Sequence, residues 1–315
     1  AGLVSSFSQH PDPEHVLVHL SDTHLLAGDS LLYSQIDVDT PLTHLMHRLV
    51  ESGLDIDALV FTGDLADQAQ EGAYHRLREL VDPWAAKLEA QVMWVMGNHD
   101  EREPFSSIML GQEPSLEPQD RVYWAGDLRM IALDSSVPGY HHGALEPAQL
   151  EWLAQELETP ARHGTLLALH HPPIPTPIDL MGLIELDDQP ALAQVIENTD
   201  VRAVLAGHLH YSTFSTFAGV PVSVCAASCY NIDLVGSRSK ILQATTAGAA
   251  ASLVHVYPDQ VVFSEVPLDD MEELTSYDAS YRPMIEAMSP LERREAFSNK
   301  NSDFNKAADA AQSGS

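Results

Sequence analysis

Five short motifs hold the side chains of this chain best suited to binding transition-metal ions: SDTH, TGD, GNHD, HHPP and GHLH. In the first, Asp22 and His24 stand two residues apart, just past an apolar run. That spacing puts an oxygen and a nitrogen donor on one side of the chain, within reach of one ion. In the second, Gly63 precedes Asp64, and a residue without a Cβ lets the backbone turn tightly enough for one carboxylate to face two ions. Asp64 is therefore read as a bridging ligand. Asp67 reads equally well as a helix cap or as a support for the site. The third motif supplies Asn98 as a neutral oxygen ligand and leaves His99, one residue on, to act as acid or hydrogen-bond donor to a leaving oxygen, with Asp100 fixing its tautomer. His170 and His171 end a strand and face opposite ways, so one reaches the metals, and His170 is the one assigned. His208 and His210, again two apart, face one way. Taken singly, each motif has a plainer explanation, such as a turn Asp beside a surface His or a histidine pair in a proline-stiffened loop. Five such clusters in equivalent positions make chance a poor account.

The donors divide between two ions that share one bridge. Asp22, His24, Asp64 and His210 surround the first, and Asp64, Asn98, His170 and His208 the second. Nitrogen and oxygen donors without thiolate suit Mn, Fe, Zn or Co, as divalent or mixed-valence pairs, better than Mg or Ca. The expected chemistry is hydrolysis by a metal-bridging hydroxide, with His99, aided by Asp100, at the leaving oxygen. The substrate is expected to meet His24, Asp64, Asn98, His99 and His210.

Elements that would position these residues recur along the chain. Apolar, β-branched-rich runs at Val16–Leu20, Ala58–Phe61, Val92–Met96, Thr165–Leu169 and Val201–Ala206 each end abruptly in one of the motifs. Thr40–Ser52, Ala69–Glu89, Glu146–Glu158 and Asp188–Glu197 carry apolar residues at helical spacing. Alternating strands and helices predict an α/β fold with largely parallel pairing and its site at the carboxyl ends of the strands. Arg121–Asp134, Thr213–Val224 and Leu253–Val266 read as β-ribbons, which suggests a sandwich of two mixed β-sheets flanked by helices. Trp84, Trp94, Trp124 and Trp152 are expected to anchor cores. His44 and His47 read as helix-surface residues, and His141-His142-Gly143 as a surface loop able to line a substrate cleft.

The formal net charge is −30, which argues against a nucleic-acid partner while leaving small anions possible, because bound metals and salt screening dominate locally. No apolar stretch approaches the ~20 residues of a membrane span. The N-terminal AGLVSSFSQHPDPEH lacks a basic flank followed by an apolar run. Cys225 and Cys229 sit in the apolar segment VSVCAASC and read as small buried hydrophobes. A cytoplasmic protein with no membrane span is expected.

The order Asp-x-His, Gly-Asp, Gly-Asn-His-Asp, His, Gly-His-x-His resembles the signature of the calcineurin-like metallophosphoesterases. SDTHL, TGDLAD, VMGNHD, ALHHPPIP, LAGHLHYST and LVHVYPD are similar to the actinobacterial branch of the class III bacterial cyclic nucleotide phosphodiesterases. The resemblance runs from Val16 to Pro267 and implies the ligand assignment above, a two-sheet sandwich, a homodimer, and hydrolysis of 3′,5′-cyclic AMP, other cyclic nucleotides or small phosphodiesters. Rival readings are a general glycerophosphodiester phosphodiesterase or phosphomonoesterase and, outside enzymes, a metal-binding scaffold for protein interaction. Residues 1–268 are expected to form the metallophosphoesterase domain, and 269–315 an acidic extension, partly helical and then disordered.

Overall fold

The computed structural model describes residues 7–314. The chain divides into two compact units, Asp12–Asp269 and a smaller one made of residues 1–11 with Asp270–Ser315.

In the larger unit the order is β1 (His15–Leu20), α1 (Thr40–Glu51), β2 (Ala58–Phe61), α2 (Glu71–Leu88), β3 (Gln91–Trp94), α3 (Arg102–Pro104), β4 (Arg121–Ala125), β5 (Leu128–Leu133), α4 (Pro147–Glu156) and β6 (Thr165–Leu169). It continues through α5 (Asp179–Gly182), α6 (Gln189–Ile196), β7 (Val201–Ala206), β8 (Thr213–Phe217), β9 (Val220–Val224), β10 (Asn231–Ile232), β11 (Ala244–Thr245), β12 (Ala250–Val256) and β13 (Val261–Pro267). One sheet runs β13-β12-β1-β2-β3 and the other β4-β5-β6-β7-β9-β8. The neighbours β1-β2-β3 and β5-β6-β7-β9 are parallel, while the ribbon strands pair antiparallel. This is the expected sandwich of two mixed sheets.

Alternation along the strands explains why every central strand is apolar on both faces. Leu17, Val60, Met93, Met130, Leu166 and Leu205 face the opposite sheet in a shared core. Their neighbours Val18, Leu59 and Phe61 pack instead with Leu45, Met46, Tyr74 and Leu77 of α1 and α2. On the far side Ile131, Leu167 and Val204 meet Leu153 of α4 and Leu192 of α6. Pro41 opens α1 and Pro147 opens α4, where the ring needs no amide hydrogen. Trp94 is buried as expected, but Trp124 is not a core anchor. It lies on the outward face of β4, 50% exposed, with the Arg129 guanidinium 5.9 Å from its ring.

The smaller unit carries helices α7 (Tyr281–Ala287), α8 (Pro290–Phe297) and α9 (Asp303–Ser313). Ser289 accepts from the Glu292 amide to cap α8, and Ser302 accepts from Asn305 to cap α9. Rings of Tyr277, Tyr281, Phe297 and Phe304 cluster, yet no described side chain of this unit is fully buried. Among the described residues no helix is long and apolar enough to cross a membrane.

Candidate metal centre

The carboxyl ends of β1, β2, β6 and β7, and the turn after β3, meet at one edge of the sandwich, where the seven predicted donors converge. The His24 Nε2 lies 3.7 Å from Asp22 Oδ1 and 3.5 Å from Asp64 Oδ2. The His210 Nε2 is 3.3 Å from Asp22 Oδ1, and the His170 Nε2 is 3.2 Å from Asp64 Oδ2. The His208 Nδ1 sits 3.2 Å from the His170 Nε2. Asp22, His24 and Asp64 form one group able to hold an ion, and Asp64, His170 and His208 another, so Asp64 is common to both.

Each of these four imidazoles spends its other nitrogen outside the centre. His170 Nδ1 donates to the Thr62 carbonyl at 2.7 Å, His208 Nε2 to that of Ile184 at 3.0 Å, and His210 Nδ1 to that of Tyr230 at 3.1 Å. His24 Nδ1 meets Asp67 Oδ1 at 2.9 Å. A carbonyl can only accept, so the outward nitrogens of His170, His208 and His210 keep their hydrogens and the inward ones are those able to present a lone pair to a metal. The residues therefore fit a metal pair, and one further observation tests this. Among buried side-chain atoms without a hydrogen-bond partner are Asp22 Oδ1, His24 Nε2 and Asn98 Oδ1, all in this cluster. Orphaned buried polar atoms are costly, and here an ion would satisfy them.

Electrostatics agree. Burial would raise the Asp22 and Asp64 carboxyls, but the charge on His170, joined by His210 at Asp22 and by His24 at Asp64, holds both far below the usual carboxylate range. Against the opposing effect of burial, Asp64 and Asp22 push His170 up to about 9, and Asp22 pushes His210 up to about 10. Protons thus occupy positions that suit cations. His208, desolvated and beside His170, is pushed down to about 3 and stays neutral.

The backbone carries the arrangement in a way strand pleating does not explain. Asp22, His24, Asp64, His208 and His210 all have left-handed φ, from 49° to 77°. Asp22 and His24 face one side through paired turns rather than through β alternation. Such conformations cost of order 1 kcal/mol or more each and gather at functional sites.

Asp100 does not partner His99. It is buried, and its oxygens accept from the amides of Gly97, Leu65 and Ala66 at 2.9, 3.2 and 3.2 Å and from the Tyr74 hydroxyl at 2.8 Å. Burial, then the charge of Asp64, pushes its carboxyl up to about 6. His99 Nδ1 donates instead to the Asp67 carbonyl at 2.8 Å, and the His99 amide to Asp64 Oδ1 at 2.8 Å. Asp67 caps no helix, since α2 begins only after Gln70. Its carboxylate orients His24 and its carbonyl orients His99. His171 points away, bonded to Ser135 Oγ at 2.7 Å and donating to the His141 carbonyl at 2.9 Å. His141 does line the cleft, its Nδ1 accepting from Asn98 Nδ2 at 2.8 Å. That bond turns the Asn98 oxygen inward.

Over the donors opens a cleft of about 210 Å³ whose far wall is Met181, Ile184, Tyr230, Ile232 and Leu242. None of these was foreseen, because α5 and the β10–β11 pair are too short to leave a periodic trace. Cys229, a small buried hydrophobe by sequence, proves to be a neighbour of the site, grouped with His24 and His210 and 3.9 Å from the His210 Nδ1.

With this geometry established, comparison with known proteins defines the class. The chain belongs to the calcineurin-like phosphoesterase family, which matches residues 15–212. A cAMP/cGMP dual specificity phosphodiesterase of Mycobacterium tuberculosis is 52% identical over 86% of this chain and 85% of its own. The 3′,5′-cyclic adenosine monophosphate phosphodiesterase CpdA of Pseudomonas aeruginosa is 33% identical over 63% of this chain and 71% of its own. A dimetal phosphatase of Danio rerio shares the fold, with a TM-score of 0.59 at 14% identity, covering 82% of this chain and 98% of its own.

Proposed function

We propose that this protein is a dimetal-dependent phosphodiesterase that hydrolyses 3′,5′-cyclic AMP, and other cyclic nucleotides or small phosphodiesters, to the monoester. The observation that carries the reading is the set of four imidazoles pinned outward, with their inner nitrogens and the orphaned oxygens of Asp22 and Asn98 turned on one centre. Asp22, His24, Asp64 and His210 hold one ion, and Asp64, Asn98, His170 and His208 the other, drawn from Mn, Fe, Zn or Co. When bound, the ions supply Lewis-acid polarisation of the phosphoryl oxygens and an activated water. His99, with Nδ1 committed to the Asp67 carbonyl, keeps Nε2 to protonate the leaving ester oxygen. Asp100 acts indirectly, by tying the turns that carry Asp64 and His99. The apolar wall packs the nucleoside, and apart from the Tyr230 hydroxyl and the weakly accepting Met181 sulfur it brings no side-chain donor or acceptor to a base. Base selectivity is therefore modest, in keeping with a 52% identical relative named for both cAMP and cGMP.

A cytoplasmic homodimer completes the reading. Both cysteines are buried and unpaired, as a reducing compartment leaves them. The edge strand β8 turns Phe214 outward at 59% exposure, a surface a second copy can cover. Kinetics of metal-loaded protein on cyclic AMP, cyclic GMP, a linear diester and a monoester test the assignment. Cyclic AMP turnover with weak monoester hydrolysis is expected; efficient monoester hydrolysis without it overturns the cyclic nucleotide reading. Asp64→Ala should lose both ions and all activity. His99→Ala should keep both ions while turnover falls about 100- to 10,000-fold.

A further inference from the structure

The apolar wall of the cleft does not stop at its mouth. Met181 and Ile184 belong to that wall, and their chain neighbours Leu180 and Leu183 stand 40% and 77% exposed. Ile232 and Leu242 belong to the same wall, and within three residues of them in the chain Leu234, Val235 and Ile241 are 46%, 91% and 75% exposed. Adjacent Cα atoms lie about 3.8 Å apart, so each exposed side chain is within one to three residues of the wall itself. Apolar side chains exposed in a group, rather than singly, mark interaction surfaces or ligand-binding grooves. A cyclic nucleotide carries a base and a ribose but no long apolar chain to lay along these outer residues. The stretch between Ile232 and Leu242, both cleft-lining, also bears exposed Arg238 and Lys240, two cations in a protein whose net charge is −30. Together they draw an anionic head towards the ions and seat an apolar tail outside it.

We propose that, beyond cyclic nucleotides, the site hydrolyses phosphodiesters that carry an alkyl or acyl chain on one ester oxygen, the chemistry of a lysophospholipid-type diester, with the chain lying along the lip formed by Leu180, Leu183, Leu234, Val235 and Ile241. This rests on the phosphodiesterase reading and adds a substrate class to it. No new catalytic group is needed. Water adds to phosphorus at the centre, the bond to one ester oxygen breaks, and that oxygen leaves with the proton from His99, giving an alcohol and a phosphate monoester.

The test is a series of p-nitrophenyl alkyl phosphodiesters from methyl to octyl, each kept monomeric in solution, with cyclic AMP measured on the same metal-loaded protein. A buried methylene can raise kcat/KM by up to about fourfold. At a half-open lip the expected gain from methyl to octyl is tenfold or more. Leu183→Asp combined with Val235→Asp should flatten the series and leave cyclic AMP kinetics and metal content unchanged, since neither residue belongs to the cleft wall. A flat series in the unaltered protein with cyclic AMP turnover intact overturns this inference alone, as does a slope that survives both substitutions. Failure to turn over any diester with both ions bound overturns the phosphodiesterase reading and this inference with it.

Discussion

Gly97→Ala should damage the site although Gly97 binds nothing through a side chain. Its φ is not left-handed, so an alanine meets no backbone strain, only space already filled. A Cβ at Gly97 would fall 2.9 Å from Asp64 Cγ and nearer still to the Asp64 amide nitrogen and Oδ1. Ordinary contacts of this kind begin at 3.4 Å, so the Asp64 carboxylate and its turn must retreat by at least half an ångström. Overpacking of this sort typically costs about 1–3 kcal/mol. In a domain of this size that lowers Tm by roughly 2–12 °C, at about 2–4 °C per kcal/mol. The larger effect falls on catalysis, because a misplacement of about 1 Å can cost on the order of 100-fold. A turnover loss of roughly 10- to 100-fold with weakened metal retention is expected. Thermal unfolding, metal analysis and kcat on a chromogenic diester measure all three. Gly182→Ala, where a Cβ meets nothing within 4 Å, is the control and should leave Tm unchanged. A Gly97→Ala protein with unaltered Tm, metal content and kcat would refute the argument that Asp64 is held by this close approach.

Arg102→Met should be among the most destabilising changes outside the site. Arg102 is buried, donates to Asp134 Oδ2 at 3.0 Å and to two carbonyls, and its loss strands a fully buried carboxylate. Breaking such a pair costs about 3–5 kcal/mol, or roughly 6–20 °C in Tm, and a shift under 2 °C would contradict it. Asp120→Asn should stabilise, with a definite pH dependence. Burial pushes the Asp120 carboxyl up to about 6, against bonds from the Asp134 amide and Gln149. An acid raised in the folded state holds its proton more tightly there, so its ionisation lowers stability as pH rises from about 4 to 6, and the full penalty persists above. The gap corresponds to at most about 3 kcal/mol. The variant's Tm advantage should be largest near pH 8 and shrink as pH falls from 7 to 5, and an advantage that grows towards acid would reverse the sign.

The strands that present the site were legible because their runs are apolar on both faces and stop abruptly at ligand-type residues, as Val16–Leu20 does before Asp22. Helix limits differed by one or two residues, where fraying makes any boundary soft. Three features escaped for distinct reasons. Asp100 was paired with His99 because the two are adjacent, but a buried carboxylate is claimed by whatever amides surround it, here Gly97, Leu65 and Ala66. Trp124 was placed in a core on residue type alone, while β4 alternation turns it outward. The cleft wall rests on two-residue strands and a four-residue helix, too brief for any repeating pattern, and on tertiary contacts that no local spacing encodes.

One detail of the histidine supports bears on how such proteins diversify. His208 and His210 are steadied by the carbonyls of Ile184 and Tyr230, residues whose side chains also line the cleft. A carbonyl is the same whatever side chain its residue carries. Substitutions at positions 184 and 230 can thus reshape what the cleft accepts while the ligands keep their orientation. Descendants of such a chain could acquire new substrates by point mutation without first losing hydrolysis, which leaves an uninterrupted path for selection.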